Sequence, residues 1–379
     1  MALSATERAR YCRHLSLPEI GMAGQQRLKD ARVLVVGTGG LGCPAALYLT
    51  AAGIGTLGLV DFDRVELSNL QRQVLFGSED LGRLKVEVAR ERLLALNPQI
   101  EVLAHALTLR ADNVCEVVED YDIVLDGSDR LSTRYLVNDA CVLLGRTLVT
   151  AAIHRFEGQA MTYIPGQGPC YRCLFPQVEE GAVASCADAG VLGVLPGVLG
   201  ALQASEAIKI AAGIGAPLTG RLLSFDALEL RFTELPVSRR DDCPVCGEYP
   251  EITAPRDIGP ACDIETLGAR LFSATGLRDL LGSAESAGPP LVLIDVREPR
   301  EFAARHLEGA RNIPLRELES RLAELAGDGN PVFLCRSGRR SLLACAIALR
   351  AGIAAPGHLQ GGLLAWAAEV DADFEVASD

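Results

Sequence analysis

Alternating strand and helix patterns predict an α/β protein, a doubly wound and mostly parallel sheet followed by a second, smaller α/β unit. Two observations carry this expectation. From Arg32 to about Phe232, short apolar runs (VLVVG, LGLVD, IVLDG, LVTAA and RLLSFD) alternate with segments of helical periodicity. After a stretch rich in Pro, Gly and acids, between roughly Pro250 and Leu271, the alternation resumes with LVLID, PVFLC and a helix over SLLACAIALR. The intervening EITAPRDIGPACDIETLG has no clear periodicity and reads as a linker. The expected division is therefore 1–250, a linker at 251–265, and 266–379.

The first strand, turn and helix lie in ARVLVVGTGGLGCPAALYL. Val33–Val36 is short, β-branched and closed by glycine, as a central parallel strand should be. Gly37, Gly39 and Gly42 fit G-x-G-x-x-G, which turns the chain tightly and brings backbone N–H groups to a phosphate at a helix start. The next strand ends on Asp61, at a distance suited to a ribose hydroxyl. By itself this pattern means a nucleotide and leans towards NAD. The loop that follows, SNLQRQVLF, carries Asn69, Arg72 and Gln73, and Lys85 is one of only three lysines in the chain. The strand Ile123–Leu125 delivers Asp126 and Asp129 to the same sheet edge. Cations beside a phosphate loop, with a carboxylate able to hold Mg²⁺, suit phosphoryl or adenylyl transfer; the alternative is solvated loop charge at a nicotinamide site. No G-x-x-x-x-G-K-[ST] occurs, which excludes a P-loop NTPase.

Composition narrows the function classes. A net charge of −13 leaves no basic stripe to neutralise phosphates, so neither nucleic acid nor an anionic membrane is an expected partner. The N-terminal MALSATERARYCRH carries charge where the apolar core of a signal peptide would lie. The longest uncharged stretch, Ala189–Ser205, contains Pro196 and is followed at once by Glu206 and Lys209, so it reads as a buried turn and helix. Twelve cysteines without a secretory signal point to metal and thiol chemistry in a reducing, cytoplasmic compartment. Cys170 and Cys173 form one C-x-x-C and Cys243 and Cys246 another. Paired knuckles of this kind signal a closed, structural four-thiolate Zn²⁺ site; the alternatives are two redox dithiols or unrelated free thiols.

In the second unit, PVFLCRSGRRSLLACAIAL places Cys335 at a strand end, before a cationic glycine loop and a helix with Ser341 as expected N-cap. Amides at the helix start and Arg336, Arg339 and Arg340 should favour the thiolate, making Cys335 a nucleophile. Cys345, mid-helix among Leu and Ala, reads as packing. A C-x₅-R phosphatase would need arginine where Ser341 stands.

The run GTGGLGCPAALYLTAAGIGTLGLVDFDRVELSNLQRQVLF resembles the enzymes that adenylate ubiquitin-like sulfur-carrier proteins, the molybdopterin-synthase and thiamine-pathway adenylyltransferases, and the likeness extends from RYCRHLSLPEIG to CPVCG. The resemblance implies a Rossmann-like adenylating domain in which ATP and Mg²⁺ replace NAD and a carrier's C-terminal Gly-Gly carboxylate attacks the α-phosphate. By motif, Gly40, Asp61, Ser68, Asn69, Leu70, Gln71, Arg72, Lys85, Asp129 and Arg130 would form the nucleotide site. Asp61 would hold the ribose, Asn69, Arg72 and Lys85 the phosphates, and Asp129 the magnesium, with Arg72 and Asp129 acting in catalysis. Arg13 matches an arginine contributed by the second subunit of a homodimer. Arg130 departs from the family's usual Asn. The resemblance also makes Cys186, in C-A-x-A-G, a functional thiol that either forms a thioester with the carrier glycine or resolves a later disulfide; by local sequence alone it would be a packing cysteine.

The loop Cys335–Arg340, with LVLIDVREPREFAARHLEGARNIP and HLQGGLLAW, resembles rhodanese-type sulfurtransferases over about Thr266–Trp366. Arg305-His306 replaces the usual Gly-His pair, and His306 and His358 read as turn and packing residues. Together the halves imply adenylation of a carrier followed by persulfide transfer from Cys335, loaded by a cysteine desulfurase or another persulfide donor, to give a thiocarboxylate. The competing readings are an NAD-dependent oxidoreductase with a regulatory rhodanese-like module, and a zinc-stabilised scaffold that only carries sulfur.

Overall fold

A computed structural model describes residues 2–176, 190–257, 269–282, 290–325 and 329–376. They form two compact units, one ending at about residue 257 and one beginning at about residue 269.

The first unit is built on eight strands: β1 (Arg32–Val36), β2 (Thr56–Val60), β3 (Glu101–His105), β4 (Ile123–Asp126), β5 (Thr147–His154), β6 (Glu157–Tyr163), β7 (Arg221–Asp226) and β8 (Arg231–Pro236). Their spatial order is β3-β2-β1-β4-β5-β6-β7-β8. The first five run parallel. The last three ladders, β5 with β6, β6 with β7 and β7 with β8, are antiparallel. RLLSFD is thus a strand as expected, but its ladders are antiparallel, because the short Arg155–Phe156 connection places the reversed β6 between it and β5. The strands β3, β6 and β8 carry weak apolar signals; β8 is exposed along its whole length and β3 is half open.

The register explains where chemistry can sit. Val36 pairs with Val60 on one side and with Asp126 on the other, so β1, β2 and β4 end together. The strand order reverses between β1 and β4, and the crevice beyond such a switch point is where open α/β sheets bind ligands. The helix Gly42–Ala52 starts there and ends on Gly53, which adopts a left-handed φ of 82°.

The helix Val194–Ala212 is long and apolar enough, by length and composition, to cross a membrane. Here it is a core element: Leu195, Leu199, Ala204 and Ala207 are buried. The Gln203 amide nitrogen and the Glu206 carboxylate on it are partnered within the protein. Gln203 Nε2 donates to Asp126 O at 2.8 Å, and Glu206 accepts from Thr162 Oγ1 at 2.8 Å and Leu218 N at 2.6 Å. That satisfies polar atoms which lipid could not. Residues 251–257, within the expected linker, are tied to this unit: Ile252 is buried in its core and Asp257 accepts from Ala111 N at 2.9 Å.

The second unit is a five-stranded parallel sheet of β9 (Arg270–Phe272), β10 (Leu291–Asp295), β11 (Arg311–Asn312), β12 (Asn330–Leu334) and β13 (Gly357–Leu359), ordered β11-β10-β12-β13-β9. Alternating side chains feed two cores. Ile294 and Phe333 pack with Ala344 and Cys345 on one face; Leu293, Val332 and Leu334 pack with Leu363 and Trp366 on the other. The helix after Cys335 spans Arg339–Arg350 with Gly338 as its N-cap. Ser341 is therefore the third helical residue and not the cap, because Gly338, at φ 89°, makes the turn that starts the helix three residues earlier than the serine pattern predicts.

Candidate functional sites

The glycine loop is shaped by contacts that tolerate no side chain. Gly37 has φ 87°, and a Cβ on Gly42 would collide with Gly37 O. Asp61, at the end of β2, secures this loop: its Oδ2 accepts from Thr38 N at 2.8 Å and Thr38 Oγ1 at 2.9 Å. Its Oδ1 accepts from Asp63 N at 2.9 Å, and Asp63 in turn pairs with the buried Lys85 at 3.2 Å. Lys85, Asp63, Asp61 and Thr38 thus make one continuous polar chain to the loop. Thr38 and Asp63 were not singled out from sequence, although Thr38 sits inside the glycine motif itself. Among the described residues, the amides of Gly39 and Gly40 donate to no protein acceptor, an arrangement that suits an anion at a helix start.

The 68–73 segment folds over this loop. Leu67–Asn69 is one turn of 3₁₀-helix, and Arg72 Nη1 donates to Ser68 O at 3.0 Å. Arg72 Cδ lies 3.6 Å from where a Cβ on Gly40 would stand, and Gln73 Nε2 lies 3.6 Å from the same point on Gly39. Asn69 and Gln73 are both buried, and their amide oxygens have no partner. Buried amide oxygens without a partner are uncommon in folded proteins. Gly40, Asp61, Asn69, Arg72 and Lys85 therefore come together. Ser68 and Gln71 are exposed, Leu70 is half-buried, and Arg13 is exposed on the short helix Cys12–Leu15.

The two acids after β4 separate in role. Asp126 is fully buried and committed, accepting from Ser128 N at 3.0 Å, Ser128 Oγ at 2.6 Å and Thr150 Oγ1 at 3.2 Å, with Arg134 3.4 Å away. It closes the strand end and is not open to a cation. Asp129 is exposed and, among the described residues, free of ion pairs and hydrogen bonds. Arg130 lies with its guanidinium carbon 4.9 Å from the centre of the Phe62 ring, beside Asp61.

The four knuckle cysteines converge. The sulfurs of Cys170, Cys173, Cys243 and Cys246 all lie within 4.8 Å of one another. Cys170 is 3.6 Å from Cys243, and Cys173 is 3.4 Å from Cys246. Zn–S bonds of about 2.3 Å in a tetrahedron require sulfurs about 3.8 Å apart, so the cluster fits a four-coordinate zinc ion. Arg240 N donates to Cys173 Sγ at 3.5 Å, as backbone amides do around metal thiolates. Behind it, Arg172 clamps Asp139 at 2.6 and 2.7 Å and Asn138 Oδ1 accepts from Tyr171 N, fixing the first knuckle to the Leu131–Leu143 helix. Cys186 lies outside the described residues.

In the second unit, Cys335 is fully buried at the end of β12. Gly338 N and Ser341 N donate to its sulfur at 3.1 and 3.3 Å. The glycine pair of HLQGG closes the other side: Leu363 N donates to Cys335 O at 2.8 Å and Leu364 N to Arg336 O at 3.0 Å. Of the three loop arginines, Arg340 is held by Glu301 at 2.6 and 2.7 Å, and the side chain of Arg339 lies outside the described part. His306 Nδ1 donates to Phe302 O at 2.9 Å, a turn contact as expected. Burial pushes the Cys345 thiol up to about 12, and its Sγ donates to Gly357 O at 3.0 Å; it is inert packing. His358 is buried, and burial lowers it to about 4, so it stays neutral near pH 7. Ser341 and His358, which sequence pattern marks only as cap and packing residues, both belong to this cradle.

Comparison with known proteins gives these sites a context. The ThiF family matches residues 11–245 and the rhodanese-like domain matches residues 273–369. The probable adenylyltransferase/sulfurtransferase MoeZ of Mycobacterium tuberculosis (strain ATCC 25618 / H37Rv) is 44% identical over 98% of this chain and 96% of its own. Adenylyltransferase and sulfurtransferase MOCS3 of Bos taurus is 45% identical over 98% of this chain and 88% of its own. The crystal structure of E. coli MccB with ATP is 28% identical with a TM-score of 0.57, covering 64% of this chain and 75% of that one. The NAD-dependent alternative finds no support among these relatives. The glycine loop held by Asp61 lies in the part that one family model matches and the enclosed Cys335 in the part that the other matches: the chain is a member of the ThiF family, with a rhodanese-like domain, and is an adenylyltransferase and sulfurtransferase.

Proposed function

We propose that the chain converts the C-terminal glycine of a ubiquitin-like sulfur-carrier protein ending in Gly-Gly into a thiocarboxylate. The amides of Gly39 and Gly40, with Asn69, Arg72 and Lys85, bind the phosphates of ATP, and Asp61 takes the ribose. Ser68, Leu70, Gln71 and Arg130 complete the nucleotide site, and Arg13 reaches the site of a second copy in a homodimer. Asp129, exposed and uncommitted, is the ligand for Mg²⁺, which supplies charge neutralisation at the phosphates. The carrier carboxylate attacks the α-phosphate and pyrophosphate leaves, so that AMP becomes a leaving group a sulfur nucleophile can displace.

Cys335 receives sulfane sulfur from a cysteine desulfurase or another persulfide donor. Its terminal sulfur attacks the acyl carbon, AMP departs, and the carrier is left on Cys335 as an acyl disulfide. Attack by the Cys186 thiolate on the Cys335 sulfur releases the thiocarboxylate and leaves a Cys186–Cys335 disulfide, which a thiol reductant resets. Cys170, Cys173, Cys243 and Cys246 hold a structural zinc ion, which closes the end of the first domain onto its middle. A reducing, cytoplasmic setting keeps all these thiols available. The domain limits that go with this reading are 1–250 for adenylation, 251–265 for the linker and 266–379 for sulfur transfer, residues 251–257 being held by the first unit. Joining the two raises the local concentration of the sulfur donor, to about millimolar for a flexible tether.

The observation that carries the reading is the enclosed Cys335 cradle on the same chain as an Asp61-anchored glycine loop. The test is ATP–pyrophosphate exchange with a Gly-Gly-ending carrier, followed by carrier mass with a sulfur donor present. Exchange should survive Cys335→Ala while the gain from oxygen-to-sulfur replacement is lost. Loss of both, or no exchange with the unaltered chain, overturns it.

A further inference from the structure

Beside Cys335 sits a hydroxyl with more neighbours than it has protons. Ser341 Oγ, fully buried, lies 3.4 Å from Cys335 Sγ, 3.0 Å from Gly338 O and 3.0 Å from His358 Nδ1. Gly338 O can only accept. When the hydroxyl points there, the other two contacts must be donated to Oγ, by the Cys335 S–H and by His358 Nδ1–H. When the sulfur is an anion it has nothing to donate, and the hydroxyl proton must turn from Gly338 O to the sulfur for the contact to remain favourable. His358 Nδ1–H donates in both arrangements. Were Nδ1 bare, it would compete for the one hydroxyl proton.

We infer that the Ser341 hydroxyl is a catalytic donor to the anionic Cys335 sulfur, rotating from Gly338 O as the thiol ionises, and that His358 is the positioning residue that fixes its direction. This gives the sulfur a third donor besides the Gly338 and Ser341 amides, and the only one of the three able to turn away when the sulfur is protonated. His358 is not a base in this arrangement. Among the described side chains, the charges about the loop are Arg336 and Arg340, the latter paired with Glu301, whereas the hydroxyl is a neutral donor inside the cradle. The inference rests on Cys335 being the sulfur-accepting nucleophile.

The experiment is the rate of iodoacetamide alkylation of Cys335 in the full chain, followed by peptide mass at one near-neutral pH. Ser341→Ala should slow alkylation about tenfold, the effect of one charge-assisted hydrogen bond, while Ser341→Thr, which keeps the hydroxyl, should stay within about threefold of the parent. His358→Phe keeps the ring but loses Nδ1–H; it should slow the parent about threefold and have no further effect in the Ser341→Ala background. Intact folding of each variant is checked by the fluorescence of Trp366, the single tryptophan. Parental alkylation in folded Ser341→Ala, or an equal His358→Phe effect in both backgrounds, overturns the inference. The mass of a Cys335 persulfide after incubation with a sulfur donor is read separately: its absence in the parent refutes the sulfur-transfer reading of Cys335 instead.

Discussion

The substitution Gly362→Ala probes the cradle most sharply. Gly362 adopts φ 62°, and a Cβ there would press on Cys335 O and stand 2.5 Å from Gly338 N and 2.6 Å from Arg336 O. All three are backbone atoms of the sulfur loop, so none can swing aside. The left-handed conformation alone costs a non-glycine residue roughly 1–2 kcal/mol, and forcing a methyl into filled space adds about 1–3 kcal/mol. The sum is a loss of roughly 2–5 kcal/mol in the second unit. Gly352 supplies the control: its φ is 84° with nothing within 4 Å of a built Cβ, so Gly352→Ala bears only the backbone cost. Urea unfolding followed by Trp366 fluorescence reads this unit alone, because that tryptophan lies in its core. Gly362→Ala should be the less stable by about 1–3 kcal/mol and should load sulfur on Cys335 at least tenfold more slowly, with ATP–pyrophosphate exchange unchanged. Equal stability of the two variants, or unimpaired loading in Gly362→Ala, refutes the close-packing argument.

Two further outcomes are expected. The purified chain should carry zinc in equimolar amount, and Cys173→Ser should lose it together with several kcal/mol of first-unit stability, as read by elemental analysis and thermal melting; a zinc-free parent of unchanged stability contradicts the four-thiolate assignment. The folded state holds His358 neutral down to about pH 4, whereas the unfolded chain takes up a proton near pH 6.5. The unfolded state therefore binds more protons across this window, and second-unit stability should fall as pH drops from about 6.5 to about 4, by roughly 3 kcal/mol in all. That slope should vanish between pH about 6.5 and 5 in His358→Gln; its persistence assigns it to another group.

Much of this protein was legible as local pattern. The buried runs of β1, β2, β4 and β5, the glycine turn, the Asp61 that ends β2 and the two cysteine knuckles depend on short-range rules: β-branched burial, glycine conformations and ligand spacing. Their residues act through backbone or through groups a few positions apart, so spacing in the chain carries the information. The likeness to known families added the nucleotide and the sulfur chemistry, which geometry alone leaves open.

Folding settles which polar groups are spent and which are available. Asp126 and Asp129 stand three residues apart and look equivalent in the sequence, yet Thr150, Ser128 and Arg134 close around the first and leave the second exposed. The Thr38–Asp61 clasp and the Ser341–His358 contact likewise pair groups that arrive from separate strands and loops. A side chain's chemistry is written in its type, but its protons and lone pairs are committed by whatever packs beside it, and that is settled only when the chain has folded.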